Sequence, residues 1–460
     1  IKNFEEALAI AEKLGQEGSV ATCRNNIGLV YYSRGQYDKA IKYYEEALEI
    51  DKKLGQEGGV GVAISLLNIG SVYDDWGQYD NALKYYEEAL ATFKKLGQEG
   101  SVATCRNNIG GVYHHWGKYD KAIKNFEEAL EIDKKLGREG NISTYLNNIG
   151  LVYYARGQYD EAIKYYEEAL EIDKKLGQEG NISTYLNNIG LVYYARGQYD
   201  EAIKYYEEAL EIDKKLGQEG SIATCLNNIG GVSKSWGLYD WAIKYYKEAL
   251  DILKKLGMEG EMATCLSNIG SVYSLQEKYK TAIEYFNESV EKIEKIRKTA
   301  TGDIRRDYLA SQLYTYQLLS SAYIRESNIP GAFQTVEHSR AKLLTERLAG
   351  DESKIRPPEV KQIQDTLDKD TVVLVYANVN FKNIVQIAIT KKGITGKRVS
   401  NKTFVQSSID KYDKPINALL RYQRSITVTK KDKKDQLLSS MAETKSDFDN
   451  IINYYRFLLN

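Results

Sequence analysis

Apolar residues over the first 300 positions fall at three- and four-residue steps. In one stretch Ala162, Ile163, Tyr166, Ala169, Leu170 and Ile172 recur at that spacing, with Lys and Glu between them. This is the period of an amphipathic helix with one buried stripe. A first helix precedes it over about 141–155, through Asn-Asn-Ile-Gly-Leu-Val-Tyr-Tyr. Asn141 follows Gly140 and is placed to cap that helix, and Gly157 breaks it. Asp160 and Glu161 open the second helix, where acids suit the positive end of the macrodipole. Lys174 and Lys175 stand at its other end, and Gly177 stops it. The spacing offers Asp160–Lys164 and Glu171–Lys175 as i,i+4 ion pairs on the wet face.

This pair of helices repeats. Asn-Ile-Gly recurs with its glycine at Gly28, Gly70, Gly110, Gly150, Gly190, Gly230 and Gly270, at an interval of 42 residues once and 40 thereafter. Residues 141–180 and 181–220 are identical. A single pair cannot bury its own stripe, so neighbours must stack, which predicts a helical solenoid. Glycine inside a helix costs about 1 kcal/mol relative to alanine. Its return at Gly150 and equivalent places implies close approach of the partner helix. The longer interval marks a two-residue insertion near Gly58–Gly61, which is expected to bend the solenoid locally.

The strict period lapses after about 300. Two further helices are expected, from Tyr308 to Arg325 and from Pro330 to Leu348, as a degenerate terminal pair. Residues 350–358 read as a linker. Thr371 to Tyr376 is a β-rich run, Ile384 to Ile394 a second and Gly396 to Val405 a third. Helical patterns follow at about 406–424 and 433–459. The domains are therefore 1–302 repeats, 303–350 terminal pair, 351–358 linker and 359–460 a small partial α/β segment.

Composition narrows the function. The chain has 460 residues, 63 Lys+Arg and 64 Asp+Glu, a net charge of −1. No positive excess draws in phosphate backbones, so general nucleic-acid binding is not expected. Charge is nonetheless polarised: residues 391–440 hold 13 basic against 4 acidic residues, the unit 141–180 holds 4 against 7. The basic stretch reads as a solvated face. No run of about 18 apolar residues occurs. Four Cys in unlinked spacing point to a reducing, cytosolic setting. Cys23, Cys105, Cys225 and Cys265 share one helix position, so packing is the expected role. Three His leave little for metal or nucleophilic chemistry, and no cofactor is expected. The 38 Tyr against 9 Phe suggest half-buried rings with wet hydroxyls. Gly55–Gly61 lacks the strand and the Lys-Ser/Thr of a phosphate loop.

The motif Asn-Ile-Gly-x-Val-Tyr-Tyr-x-x-Gly-x-Tyr-Asp-x-Ala-Ile-x-Tyr-Tyr-x-x-Ala-Leu resembles the tetratricopeptide repeat (TPR) over about 1–300. The 40-residue length with Leu-Gly-Gln-Glu-Gly between units is similar to the repeats of kinesin light chain and related adaptors. The resemblance implies a mainly α fold, a right-handed α-α superhelical solenoid whose concave groove takes a protein or peptide. Val336-Glu-His-Ser-Arg-Ala-Lys-Leu-Leu344, then Asp370-Thr-Val-Val-Leu-Val-Tyr376, resembles the start of a CHAT domain, a caspase-like module found behind such repeats in bacteria. That family uses a His before a Gly and a strand-end Cys. Neither stands here, since His338 lies in a repeat-like helix and the last Cys is Cys265. This chain is thus expected not to be an enzyme, with any cysteine-peptidase activity belonging to residues outside it. Ile1 lies in mid-pattern and the C-terminal segment stops short of that dyad, so a longer protein is expected.

The resemblance places Asn25, Asn107, Asn147, Asn187 and Asn227 on one groove rung, with Leu67 and Ser267 at the equivalent positions. Tyr32, His114, Tyr154, Tyr194 and Lys234 form a second, with Asp74 and Ser274. A carboxamide offers both a donor and an acceptor to an extended peptide backbone. Neighbouring Asn108 and Asn148 are assigned to support between repeats. Asp74-Asp75 and His114-His115 occupy equivalent positions in consecutive units; a surface pair is the expected reading, a metal or proton switch the sharper one. The function expected is an adaptor that binds a protein segment and controls a caspase-like domain, as in proteases gated by partner complexes, CRISPR effector assemblies among them. The other reading is a passive scaffold with an oligomerising tail.

Overall fold

The computed structural model describes residues 2–33, 35–54, 59–299, 302–347, 360–366, 372–380, 383–390, 392–400 and 426–428. Two compact units divide the chain, Ile1–Val232 and Ser233–Asn460. The first holds α1 (Lys2–Lys13), α2 (Glu17–Ser33), α3 (Tyr37–Lys53), α4 (Val60–Asp75), α5 (Tyr79–Lys95), α6 (Glu99–His115), α7 (Tyr119–Leu136), α8 (Glu139–Ala155), α9 (Tyr159–Leu176), α10 (Glu179–Ala195), α11 (Tyr199–Leu216) and most of α12 (Glu219–Ser235). Even-numbered helices carry Asn-Ile-Gly, and α2, α4, α6, α8 and α10 each pack against the helix that follows and the one before. The expected hairpins and their single-file stacking are present within this unit.

Local chemistry explains each hairpin. A Cβ built on Gly150 would lie 2.6 Å from Cε1 of Tyr166, a ring only 1% exposed. Hydrogen at that position lets α8 and α9 close on each other. Gly157 adopts φ +73°, a region most L-residues avoid, and so turns the chain between α8 and α9. Ile149 and Val152 of α8 and Ala162, Tyr166, Ala169 and Leu170 of α9 are buried, as the period predicts. Complete burial of such aliphatic side chains stabilises by about 1.5–3 kcal/mol each.

The structure departs from the periodic reading in three places. Asn141 does not cap: α8 begins at Glu139, and the Asn141 Nδ2 donates to Asp133 Oδ2 at 2.8 Å. Glu171 does pair with Lys175, at 2.8 Å, but Asp160 pairs with Arg196 of the next hairpin rather than Lys164. A forked guanidinium arriving from a neighbour fits a carboxylate better than a lysine on the same helix. The buried stripe of α9 ends on Asp173, which is fully buried, while Ile172 is only half-buried.

The second unit continues with α13 (Tyr239–Leu256), α14 (Glu259–Leu275), α15 (Tyr279–Thr299), α16 (Gly302–Arg325) and α17 (Ile329–Arg347). The last two lie over the span where two further helices were expected, α16 starting at Gly302 rather than Tyr308. After α18 (Val360–Thr366) come β1 (Val372–Asn380), β2 (Asn383–Thr390), β3 (Gly393–Ser400) and β4 (Ile426–Val428). They form one antiparallel sheet in the order β3-β2-β1-β4, with Leu374 opposite Ala388 and Thr427. The run read as one strand from Ile384 to Ile394 is two, because the chain reverses and pairs Thr390 with Gly393. Ile363 and Ile389 bury against Phe333 and Val336 of α17, so sheet and terminal hairpin share a core. The expected linker and the helices expected at 406–424 and 433–459 lie outside the described residues; of the insertion expected near Gly58–Gly61, residue 58 also lies outside them, while Gly59 precedes α4 and Val60 and Gly61 begin it.

Candidate functional site

The first rung is a hydrogen-bonded ladder. Asn148 Nδ2 donates to Asn107 Oδ1 at 2.8 Å, Asn188 to Asn147 at 2.7 Å and Asn228 to Asn187 at 3.1 Å. Asn148 thus supports the neighbouring repeat as expected, using the acceptor of that repeat's first Asn, as Asn188 and Asn228 also do; Asn108, given the same role, instead accepts from Asn107 in its own helix. Asn187 Nδ2 also donates to Cys225 Sγ at 2.9 Å. Asn25 exchanges hydrogen bonds with Ser65, at 3.1 and 3.3 Å. Leu67 stands where the ladder needs an Asn, and Asn107 Nδ2 turns instead toward Asn108, at 3.4 Å. Asn227 lies at the same rung of α12, half-buried.

The second rung is aromatic. Tyr154 packs on Tyr159 with centroids 5.8 Å apart, and Tyr194 on Tyr199 at 6.1 Å. Tyr32 lies 6.0 Å from Tyr37 and donates to Asp75 Oδ2 at 2.6 Å. Burial and that carboxylate raise its phenol above the ordinary value. His114 lies 6.2 Å from Tyr119 and 5.7 Å from His115. His115 Nδ1 meets Asp74 Oδ1 at 3.1 Å, so the His and Asp pairs do converge. The hydrogen bond to Asp74 raises His115, against the effect of burial, whereas burial and then His115 lower His114. Among the described residues no group of three or more His, Cys, Asp or Glu could hold a metal ion.

These side chains border a pocket of about 330 Å³ in the first unit, lined by Tyr32, Asp75, Asn107, His114, Asn148 and Leu151 among others. Its wall is mostly polar, with an apolar patch at Leu151 and Phe126. Lys234 belongs to the second unit and lines a separate cavity there. Tyr154, Tyr194, Asn147 and Asn187 do not line the first-unit pocket.

Sequence reasoning missed a line of buried aspartates. Asp51, Asp133, Asp173 and Asp213 are at most 6% exposed. Asp133 Oδ2 accepts from Asn141 and from Tyr145 at 3.0 Å, and Oδ1 accepts from Arg138 Nε at 2.9 Å. Asp173 accepts from Tyr185 at 3.0 Å and Asp213 from Cys225 at 3.4 Å, each through Oδ2. The signal was present: Phe93, Leu253 and Ile293 hold the equivalent positions, so the site is a core site. Of the four cysteines expected to pack, Cys105, Cys225 and Cys265 are buried free thiols, whereas Cys23 is only half-buried. Burial pushes each of the three buried thiols up to about 12.

No helix among the described residues is long and apolar enough to cross a membrane. No curated protein sequence matches the chain. Among solved structures, BtubC from P. vanneervenii is 26% identical, with 47% of this chain and 90% of that one covered and a TM-score of 0.42. The apo form of RapI is 21% identical, with 60% and 99% covered and a TM-score of 0.47. A STAND protein with a tetratricopeptide repeat sensor from Pyrococcus horikoshii is 17% identical, with 75% and 50% covered and a TM-score of 0.49. The tetratricopeptide repeat family profile matches residues 1–53, 61–135, 141–215, 181–255 and 221–295. With more than half its length matched, and helix-turn-helix units in register with the match, the chain belongs to the tetratricopeptide repeat family, a protein-interaction module.

Proposed function

We propose that the Asn-Ile-Gly helices of this chain hold an extended polypeptide segment, and that occupancy regulates an attached caspase-like domain of the CHAT type. The observation that carries the first half is the pocket in the first unit. It is built from the predicted rung residues Tyr32, Asn107 and His114, with Leu151 beside them. Donors and acceptors mixed with an apolar wall suit backbone amides and side chains together. The second half is supported by position: a β-rich segment follows the repeats, and its core is shared with α17. The chain itself is read as recognising rather than catalysing. Three buried thiols raised to about 12 are poor nucleophiles. A CRISPR effector complex fits the class of partner, and self-association through the tail is a separate option.

A photo-crosslinking residue tests the face directly. It is placed at Leu151, in the pocket wall, or at Glu168, exposed on α9, in the full chain expressed in its host. A partner polypeptide crosslinked from Leu151 and not from Glu168 is expected. Crosslinks from Glu168 alone, or equally from both, would overturn the reading. Asn147→Ala and Asn187→Ala are weaker tests, because each also removes the acceptor of a stacking hydrogen bond.

A further inference from the structure

The second unit contains a cavity of about 580 Å³ between the end of α12, α14, the turn into α15, and α16. Lys234 stands in it, at the rung where other repeats carry Tyr154 or Tyr194. Arg325 lines the same cavity from α16 and is exposed. No ion pair to Lys234 or Arg325 occurs among the described residues, and burial alone holds the Lys234 amine below its ordinary value. Glu277, exposed in the turn after α14, is the acid among the described lining residues.

A half-buried ammonium without a counter-ion is unfavourable, because desolvation is not offset by a partner. An anion entering the cavity removes that imbalance. Several wall hydroxyls are already spent: Ser271 donates to the Ser267 carbonyl at 2.8 Å and Thr264 to the Gly260 carbonyl at 3.3 Å. The hydroxyls of Ser274 and Ser321 have no hydrogen bond among the described residues and can turn toward a ligand. Two cations and two hydroxyl donors exceed what one planar monoanion uses. They suit a phosphoryl group, which carries about −1.5 to −2 charges and three acceptor oxygens. Leu275 and Tyr314, 54% and 56% exposed, supply apolar wall for the residues beside it.

We propose that this cavity is a phosphoryl site, in which Lys234 and Arg325 hold a phosphorylated Ser or Thr of a polypeptide segment bound at the second unit. The inference rests on the peptide-binding reading above. It also gives the terminal hairpin a role beyond ending the repeat array, since α16 supplies one of the two cations.

Fluorescent peptide pools with randomised flanks around a central phosphoserine, serine or glutamate test it by polarisation against the full chain. The phosphoserine pool is expected to bind about tenfold tighter than either other pool. Lys234→Met and Arg325→Gln are each expected to erase that preference, and inorganic phosphate to compete with the phosphoserine pool alone. Lys234→Met is also expected to raise the melting temperature without ligand, which a merely structural lysine would not do. Equal binding of all three pools, or of phosphoserine and glutamate, overturns the phosphoryl site and leaves the peptide reading standing. Failure of every pool to bind overturns both.

Discussion

At the residue scale, the buried aspartates show how one side chain decides the quality of an interface. Asp133 has both carboxylate oxygens engaged, because Arg138 reaches Oδ1 with Nε and Nη2 and also donates to the Gly100 carbonyl at 2.9 Å. The identical units that follow carry Gln178 and Gln218 in that place, and Oδ1 of Asp173 and of Asp213 has no hydrogen-bond partner. A buried acceptor without a donor costs about 1–3 kcal/mol. Gln178→Arg carries the Arg138 arrangement to Asp173. It is expected to stabilise the chain by about 1–2 kcal/mol in urea unfolding, given that Arg138 is itself partly exposed. No gain, or a loss, would show that the guanidinium cannot reach.

Between elements, the contact of α4 with α6 is sensitive to pH. His115 is raised by its hydrogen bond to Asp74, so the fold takes up its proton more readily than the unfolded chain. That stabilisation is complete below the ordinary histidine value, about 6.5, and fades as pH rises through the raised value. His114 is lowered by burial, so its protonation opposes folding as pH falls. Asp74→Asn removes the larger part of the first effect, Asp75 supplying the remainder, and leaves the second. The melting temperature is expected to drop more for Asp74→Asn at about pH 5.5 than at about pH 8.5. Equal losses at both would mean that the His115–Asp74 contact is not formed in solution. Helix partners were readable in the sequence: Gly150 announced a close neighbour, and the neighbour is Tyr166. The choice of Arg196 over Lys164 by Asp160 was not, because it needs the rotation of one hairpin against the next.

On the scale of the molecule, an array of repeats is stabilised by each unit and its nearest neighbours. Residues 141–180 and 181–220 are identical, so deleting 181–220 recreates only junctions that the chain already contains. The shortened chain is expected to keep its helical circular dichroism per residue and a cooperative melt, with a smaller denaturant slope in proportion to the surface lost. A broad, non-cooperative melt would mean that stability depends on long-range order rather than neighbour contacts. The sequence by itself determined the period, the helix pairs, their turns and the small residues at the crossings. These follow from local conformation and from one-dimensional patterning, which a single chain displays in full. Only the tertiary structure decided which carboxamide oxygen the next repeat consumes, that the second β run folds back on itself, and that Lys234 shares a cavity with Arg325. The first and last depend on side chains 41 and 91 positions apart meeting at hydrogen-bond or cavity distance, and the fold-back on a turn that pairs Thr390 with Gly393; no periodicity along the chain encodes where such groups point.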